Sequence, residues 1–186
     1  SRIMFPIQNQ QGDVIAFGGR IFDKDDSAKY QNSPETPIYI KSHVLYGISH
    51  NIQHIRDAKK IILVEGYMDL LQLVQADIKN CLAISGTAFT KGHATILKRF
   101  TNNIYITFDG DDAGKKAALK CGYILAANSL EPKIITPPDG LDPDDWVRKD
   151  NGKDFNSEIN NADELIKSHY NYFSNTNPEG SLSIND

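Results

Sequence analysis

Five carboxylates stand where they could act together: Glu65 in "ILVEGYMD", Asp109 and Asp111 in "ITFDGDDAG", and Asp142 and Asp144 in "PPDGLDPDDW". Each group follows an apolar run that reads as a buried strand. Acids placed side by side raise one another's pKa and oppose folding unless positive charge sits among them. Hard oxygen donors on short side chains suit Mg²⁺ or Mn²⁺, ions that keep several waters and bind through one or two carboxylates plus substrate phosphates. Two such ions about 4 Å apart would activate an attacking hydroxyl and stabilise the leaving oxygen of a phosphoryl transfer. Gly110, between Asp109 and Asp111, is expected to permit a sharp turn that aims both side chains at one ion.

Each piece has a plainer reading beside this one. Asp111 or Asp112 suits the N-cap of a helix over 113–129, and Asp69 suits the first turn of a helix over 68–77. Asp-Pro-Asp at 142–144 is an ordinary helix start, with Trp146 as core packing. Turn chemistry explains any one of these; it explains their conjunction at three strand ends less easily.

The elements that would bring the acids together follow from the hydrophobic pattern. From residue 60, short apolar runs alternate with stretches of helical period: strands 60–64, 81–84, 103–108 and 133–136, and helices 68–77, 90–100 and 113–129. This β-α-β-α-β-α-β order predicts a doubly wound parallel sheet with helices on both faces. In such a sheet ligands bind beyond the carboxyl ends of the strands, where the acids fall. Ahead of it, "RIMFPI" and "VIAFGGRIF" read as a hairpin, with Gly18-Gly19 marking a bulge or a close backbone approach. The stretch from Asp23 to Gly47 has little periodicity and reads as a loop or a functional surface. Residues 143–174 read as helical, and the tail that follows as loose.

At 186 residues and 40% hydrophobic, the chain is long enough for one full domain with pieces of others. It has no run of about eighteen apolar residues and no charged-then-apolar leader, so a cytoplasmic protein without a membrane span or secretory signal is expected. Cys81 and Cys121 lie in apolar stretches, read as reduced core thiols, and provide no zinc ligand set. The net charge of −4 argues against nucleic-acid binding only as a sum, because residues 1–60 carry +2, residues 61–138 +1 and residues 139–186 −7. Because the chain opens on Ser1 in a strand-like run, with no initiator methionine in front, it is expected to be part of a longer protein.

The stretches "RIMFPIQNQQGDVIAFGGRIF", "AKYQNSPETPIYIK", "LYG", "ILVEGYMDLL", "ISGTAFT", "ITFDGDDAGKKAA" and "PPDGLDPDDWVRK" run in the order and spacing of a known family. Across them the chain resembles the catalytic core of bacterial replicative (DnaG-type) DNA primase, with its Toprim fold. The resemblance implies an α/β Toprim domain at 59–141, preceded by a basic β-rich segment at 1–58 and followed by a helical segment at 142–175 and a flexible tail at 176–186. It implies a DNA-dependent RNA polymerase that makes short primers from ribonucleoside triphosphates on single-stranded DNA. Glu65, Asp109 and Asp111 would be catalytic, and these three with Asp142 and Asp144 would hold Mg²⁺ or Mn²⁺. Arg2, Arg20, Lys29, Tyr30, Asn32, Ser33, Lys41 and Asp69 would contact nucleotide or template, with Tyr30 and Tyr39 able to stack on bases or sugars.

The family's full enzyme also has a zinc-binding module, more polymerase core and a helicase-docking domain, so this piece alone is expected to prime poorly. Asp112 stands where the family usually has Arg or Lys, which is expected to weaken nucleotide binding unless Lys115 and Lys116 compensate. Three other readings stay open. In a haloacid-dehalogenase-like phosphatase Asp109 would be the nucleophile, but there the Asp-x-Asp strand comes first, whereas here it is the third of the α/β unit. A Toprim topoisomerase or nuclease would use the same metals, and a topoisomerase would need a nucleophilic Tyr outside this fold. A non-catalytic module would bind single strands equally well without metal.

Overall fold

A computed structural model of the chain describes residues 1–22, 28–138 and 140–176. The strand signal is strongest where a run is apolar on both faces. β4 (Ile61–Val64) has all four residues buried, as a central parallel strand requires. It pairs in parallel with β5 (Cys81–Ala83) on one side and β6 (Asn103–Ile106) on the other, and β7 (Glu131–Ile134) pairs in parallel with β6. A two-residue strand, β8 (Asp163–Glu164), closes the sheet antiparallel to β7, giving the order β5-β4-β6-β7-β8.

Alternate residues of β4 point into two separate cores. Ile61 and Leu63 pack with α1 (Ile48–Ala58), α3 (Lys91–Leu97) and α4 (Asp112–Ala127) through Ile55, Leu97 and Leu125. Ile62 and Val64 pack with α2 (Tyr67–Gln75), α5 (Pro143–Asp150) and α6 (Lys153–Glu158) through Leu73, Trp146 and Phe155. The sheet is therefore covered on both faces, as the alternation of strands and helices implied. The last helix, α7 (Leu165–Thr176), lies along α4, where a Cβ at Gly122 would meet Leu165 at 2.5 Å.

The N-terminal part is a three-stranded antiparallel sheet of β1 (Arg2–Gln8), β2 (Val14–Ile21) and β3 (Tyr30–Asn32). Its register shift lies between Ile7 and Gln8, not at Gly18-Gly19. Gly18 serves instead for close approach, because a Cβ there would sit 2.5 Å from the Tyr67 hydroxyl oxygen. The region read as an aperiodic loop holds β3 and a short 3-10 turn at Lys41–His43, and α1 follows it directly; its residues 23–27 lie outside the described set. The helical reading of 143–174 breaks at Asn151 and Gly152, both in the left-handed region, and at β8. Nearly all of the expected tail lies outside the described residues. Among the described residues no helix is long and apolar enough to cross a membrane.

Candidate acidic active site

β4 runs on to α2 on one face of the sheet and β6 to α4 on the other, so a crevice opens beyond their adjacent carboxyl ends. Glu65 lies directly after β4 and Asp109 three residues after β6, near enough for the Asp109 charge to act on the Glu65 carboxyl. Burial is the main cause that pushes Glu65 up to about 7; the negative charges of Asp109 and Asp69 add to it. Asp69, only 8% exposed, is pushed up to about 6, again chiefly by burial, although its Oδ2 accepts from Gly66 N at 2.9 Å. Burial raises Asp109 too, helped by Asp142 and Asp111 and opposed by Lys29. Three acids, Glu65, Asp69 and Asp109, are therefore raised at one rim, with Asp111 and Asp142 among the charges that raise them.

Asp111 and Asp142 also serve as helix caps. Asp111 Oδ1 accepts from Gly114 N at 2.7 Å to start α4, and Asp142 Oδ1 accepts from Asp145 N at 2.7 Å to start α5. The plain and the functional readings thus coexist in these residues, since each cap uses one carboxylate oxygen. Asp144 turns its carboxylate to Arg148 at 2.6 Å, while its backbone N–H reaches Asp69 Oδ1 at 3.3 Å. Gly110 does not have a positive φ. A Cβ there would instead come within 2.9 Å of the carbonyl oxygens of Leu141 and Pro138, and Gly110 N donates to Leu141 O at 2.9 Å. The glycine is needed so that the loop carrying Asp109 can touch the loop carrying Asp142.

The donor set fits a hard divalent cation by its chemistry: oxygen ligands only, partly desolvated, with carboxyl groups held above their ordinary range chiefly by burial and then by one another's charge. Among the described residues no three His, Cys, Asp or Glu side chains are grouped so that they could hold a metal ion together. That arrangement suits an ion held by one or two carboxylates, with phosphate oxygens and water completing its shell.

Across the crevice stands part of the basic ridge. Lys29 and Arg20 each lie 5.9 Å from the Tyr30 ring centre, and Tyr30 feels the charges of Arg20, Asp69, Asp144 and Asp142. Tyr30 and Asn32 share with Glu65, Tyr67, Ser85 and Thr87 the lining of a cavity of about 380 Å³. The remaining ridge residues have structural partners. Arg2 donates to the carbonyls of Gly19 and Ala28, Ser33 Oγ bonds Phe17 N and O, and the Lys41 N–H is held by Glu35. Tyr39 is 3% exposed and belongs to the small core under the N-terminal sheet, so burial removes it from base stacking.

Asp112 turns away from the rim: Lys116 lies 2.9 Å from its Oδ2, and the Tyr172 hydroxyl of α7 lies 2.5 Å from its Oδ1. These partners hold its carboxyl below the ordinary range. The extra acid in "DGDDAG" thus joins helices rather than the metal motif. Two residues of the surroundings escaped the sequence reading. His93, fully buried and with its pKa lowered mainly by burial, bonds Lys41 O at 2.9 Å and so holds the turn that presents Lys41. Tyr67 fills the N-terminal core from the Toprim side. Their partners lie 52 and 35 residues away in sequence, which leaves no local signal.

Residues 62–147 match the family described as Toprim-like, and residues 1–52 match the DNA primase catalytic core, N-terminal domain. The DNA primase of Listeria monocytogenes is 46% identical over 149 residues, which is 80% of this chain and 24% of that protein. The crystal structure of the zinc-binding and RNA polymerase domains of Aquifex aeolicus primase superposes with a TM-score of 0.86 at 36% identity, covering 96% of this chain and 44% of that one. A DnaG primase catalytic domain bound to single-stranded DNA gives a TM-score of 0.82 at 38% identity, covering 91% and 56%. The chain spans about a quarter of the curated relative it matches. Two adjoining matches in the expected order, with the acids at the strand ends inside the second, place the chain in the DnaG-type bacterial DNA primase family.

Proposed function

We propose that this chain is the catalytic portion of a primase, adding ribonucleotides to a short RNA primer on single-stranded DNA. The observation that carries this reading is the meeting of Glu65 and Asp109 at adjacent strand ends, with Glu65 and Tyr30 lining one cavity and Lys29 and Arg20 beside the Tyr30 ring. The single-stranded DNA on a relative's catalytic domain supports a template along that basic side. In the reaction a primer 3′-hydroxyl attacks the α-phosphorus of the incoming triphosphate, a new P–O bond forms, and pyrophosphate leaves.

Bound Mg²⁺ or Mn²⁺ supplies charge neutralisation for the acids and the triphosphate, and lowers the pKa of the attacking hydroxyl. Glu65, Asp109 and Asp111 would hold it one or two at a time, with phosphate oxygens and water completing its shell and Asp142 and Asp144 at the outer edge. Glu65 is also the carboxylate this reading assigns to take the hydroxyl proton. Lys29, Arg20 and Lys41 attract phosphates, Tyr30 offers an aromatic face, and Arg2, Ser33 and Asn32 keep the ridge in shape. On this reading residues 1–58 form the ridge, 59–141 the metal-binding domain and 142–175 the helical flank, in a cytoplasmic protein. The replicative helicase would bind through a segment outside this chain.

The test is template-directed primer synthesis by the protein carrying the further segments its relatives have. Glu65→Gln and Asp109→Asn should each lower synthesis by a factor of about 10² or more while circular dichroism stays unchanged. Synthesis within about twofold of wild type in either variant rejects the mechanism.

A further inference from the structure

The motif "EGYMD" sets Tyr67 between Glu65 and Asp69, yet the side chain leaves its own domain. Tyr67 is 2% exposed, stacks on Phe5 at 4.8 Å and meets Tyr46 edge-on at 4.7 Å. Its hydroxyl donates to Asn32 Oδ1 at 2.8 Å, and Asn32 Nδ2 donates to Ser85 O at 2.8 Å. Ser85 N then donates to Glu65 O at 2.8 Å. An unbroken chain of hydrogen bonds thus runs from Tyr67 through the ridge strand β3 to the backbone of Glu65. Ser85 has a φ of +51°, a left-handed conformation costly for a residue with a side chain, and the bonds on both sides of it hold that turn in place.

We infer that Tyr67 is a positioning residue for nucleotide addition: its hydroxyl orients Asn32 so that the ridge and the Glu65 strand end keep one spacing across the cavity. A backbone carbonyl only accepts, so the NH₂ of Asn32 must face Ser85 and its oxygen must face a donor, which Tyr67 provides. Loss of that donor frees the Asn32 amide and relaxes the Ser85–Gly86 turn against Glu65. A small displacement there matters, because nucleotide addition depends on how triphosphate and acids are held. The stacked ring does the packing and the hydroxyl the orienting, so Tyr67→Phe separates the two. The inference rests on the primer-synthesis reading.

The experiment measures KM for ATP, kcat and Tm in template-directed synthesis for wild type, Tyr67→Phe, Asn32→Ala, the double variant and Glu65→Gln. The expected result is a KM for ATP raised about fivefold or more in Tyr67→Phe, with kcat within about twofold and Tm within a few degrees of wild type. The double variant should have the KM of Asn32→Ala alone, since both changes break one chain of bonds. A wild-type KM in Tyr67→Phe overturns the inference, as does a double variant in which the two KM effects multiply; a loss confined to Tm and kcat means Tyr67 is merely structural. If Glu65→Gln primes normally, the underlying reading fails and the inference with it. If Glu65→Gln is inactive while Tyr67→Phe keeps the wild-type KM, only the inference fails.

Discussion

Glu65 and Asp109 leave the adjacent parallel strands β4 and β6 at the same end, close enough that the Asp109 charge raises the Glu65 carboxyl. Burial and, after it, the charges of Asp109 and Asp69 push the Glu65 carboxyl up to about 7. The rim is therefore strained electrostatically in the direction that a bound cation relieves.

A pH dependence of stability follows. Folded Glu65 keeps its proton up to about pH 7, whereas the unfolded side chain releases it near 4.5, so its contribution is fully present below 4.5 and is lost as pH rises through 7. Asp69, raised to about 6, acts in the same sense. His93 acts oppositely, because burial lowers its pKa and its contribution is lost as pH falls below 6.5. Comparison of metal-free wild type with Glu65→Gln isolates the first effect. Urea unfolding should show wild type losing about 1–2 kcal/mol more than Glu65→Gln between pH 4.5 and 7.5, once screening of this partly exposed group is allowed for. Saturating Mg²⁺ should abolish the difference.

Gly110→Ala should pry apart the two acid-bearing loops. Its Cβ would stand 2.9 Å from two backbone carbonyl oxygens, neither of which can move without the 137–141 segment. The expected cost is about 1–3 kcal/mol in urea unfolding. Mg²⁺ binding should weaken as well, read as a smaller rise in Tm at saturating metal. A stability equal to wild type would show that the loops do not depend on this contact.

Lys29→Ala should weaken binding of a single-stranded oligonucleotide and reduce the slope of log K against log salt by about one. Lys29 is the cation whose charge offsets the acids at Asp109, so the same substitution should raise the Asp109 pKa further. An unchanged slope would remove this residue from the phosphate path.

Much of this was legible in the sequence, for physical reasons that differ by element. β4 and β5 announce themselves because strands covered on both faces have to be apolar throughout, β6 by its alternation of Ile104 and Ile106 with more exposed residues, and the acids after β4 and β6 follow from that sheet's geometry. α1 was not legible: its buried stripe of Ile48, Asn51 and Ile55 contains a polar residue satisfied by Cys81 O, and Gly47 opens it without a side-chain cap. β8, only two residues long, has no periodicity to detect. Gly18 was legible as a close approach, but its partner Tyr67 was not. Asp112 read as a liability to nucleotide binding because Tyr172, sixty residues away, is brought to it only by the docking of α7.

The most direct test of the shared acidic rim is an anomalous-difference map from crystals of the protein soaked in Mn²⁺. A peak within ligand distance of both Glu65 and Asp109 is the expected result. Mn²⁺ found only at scattered surface acids such as Asp77 or Asp154, with none between those two carboxylates, would contradict it.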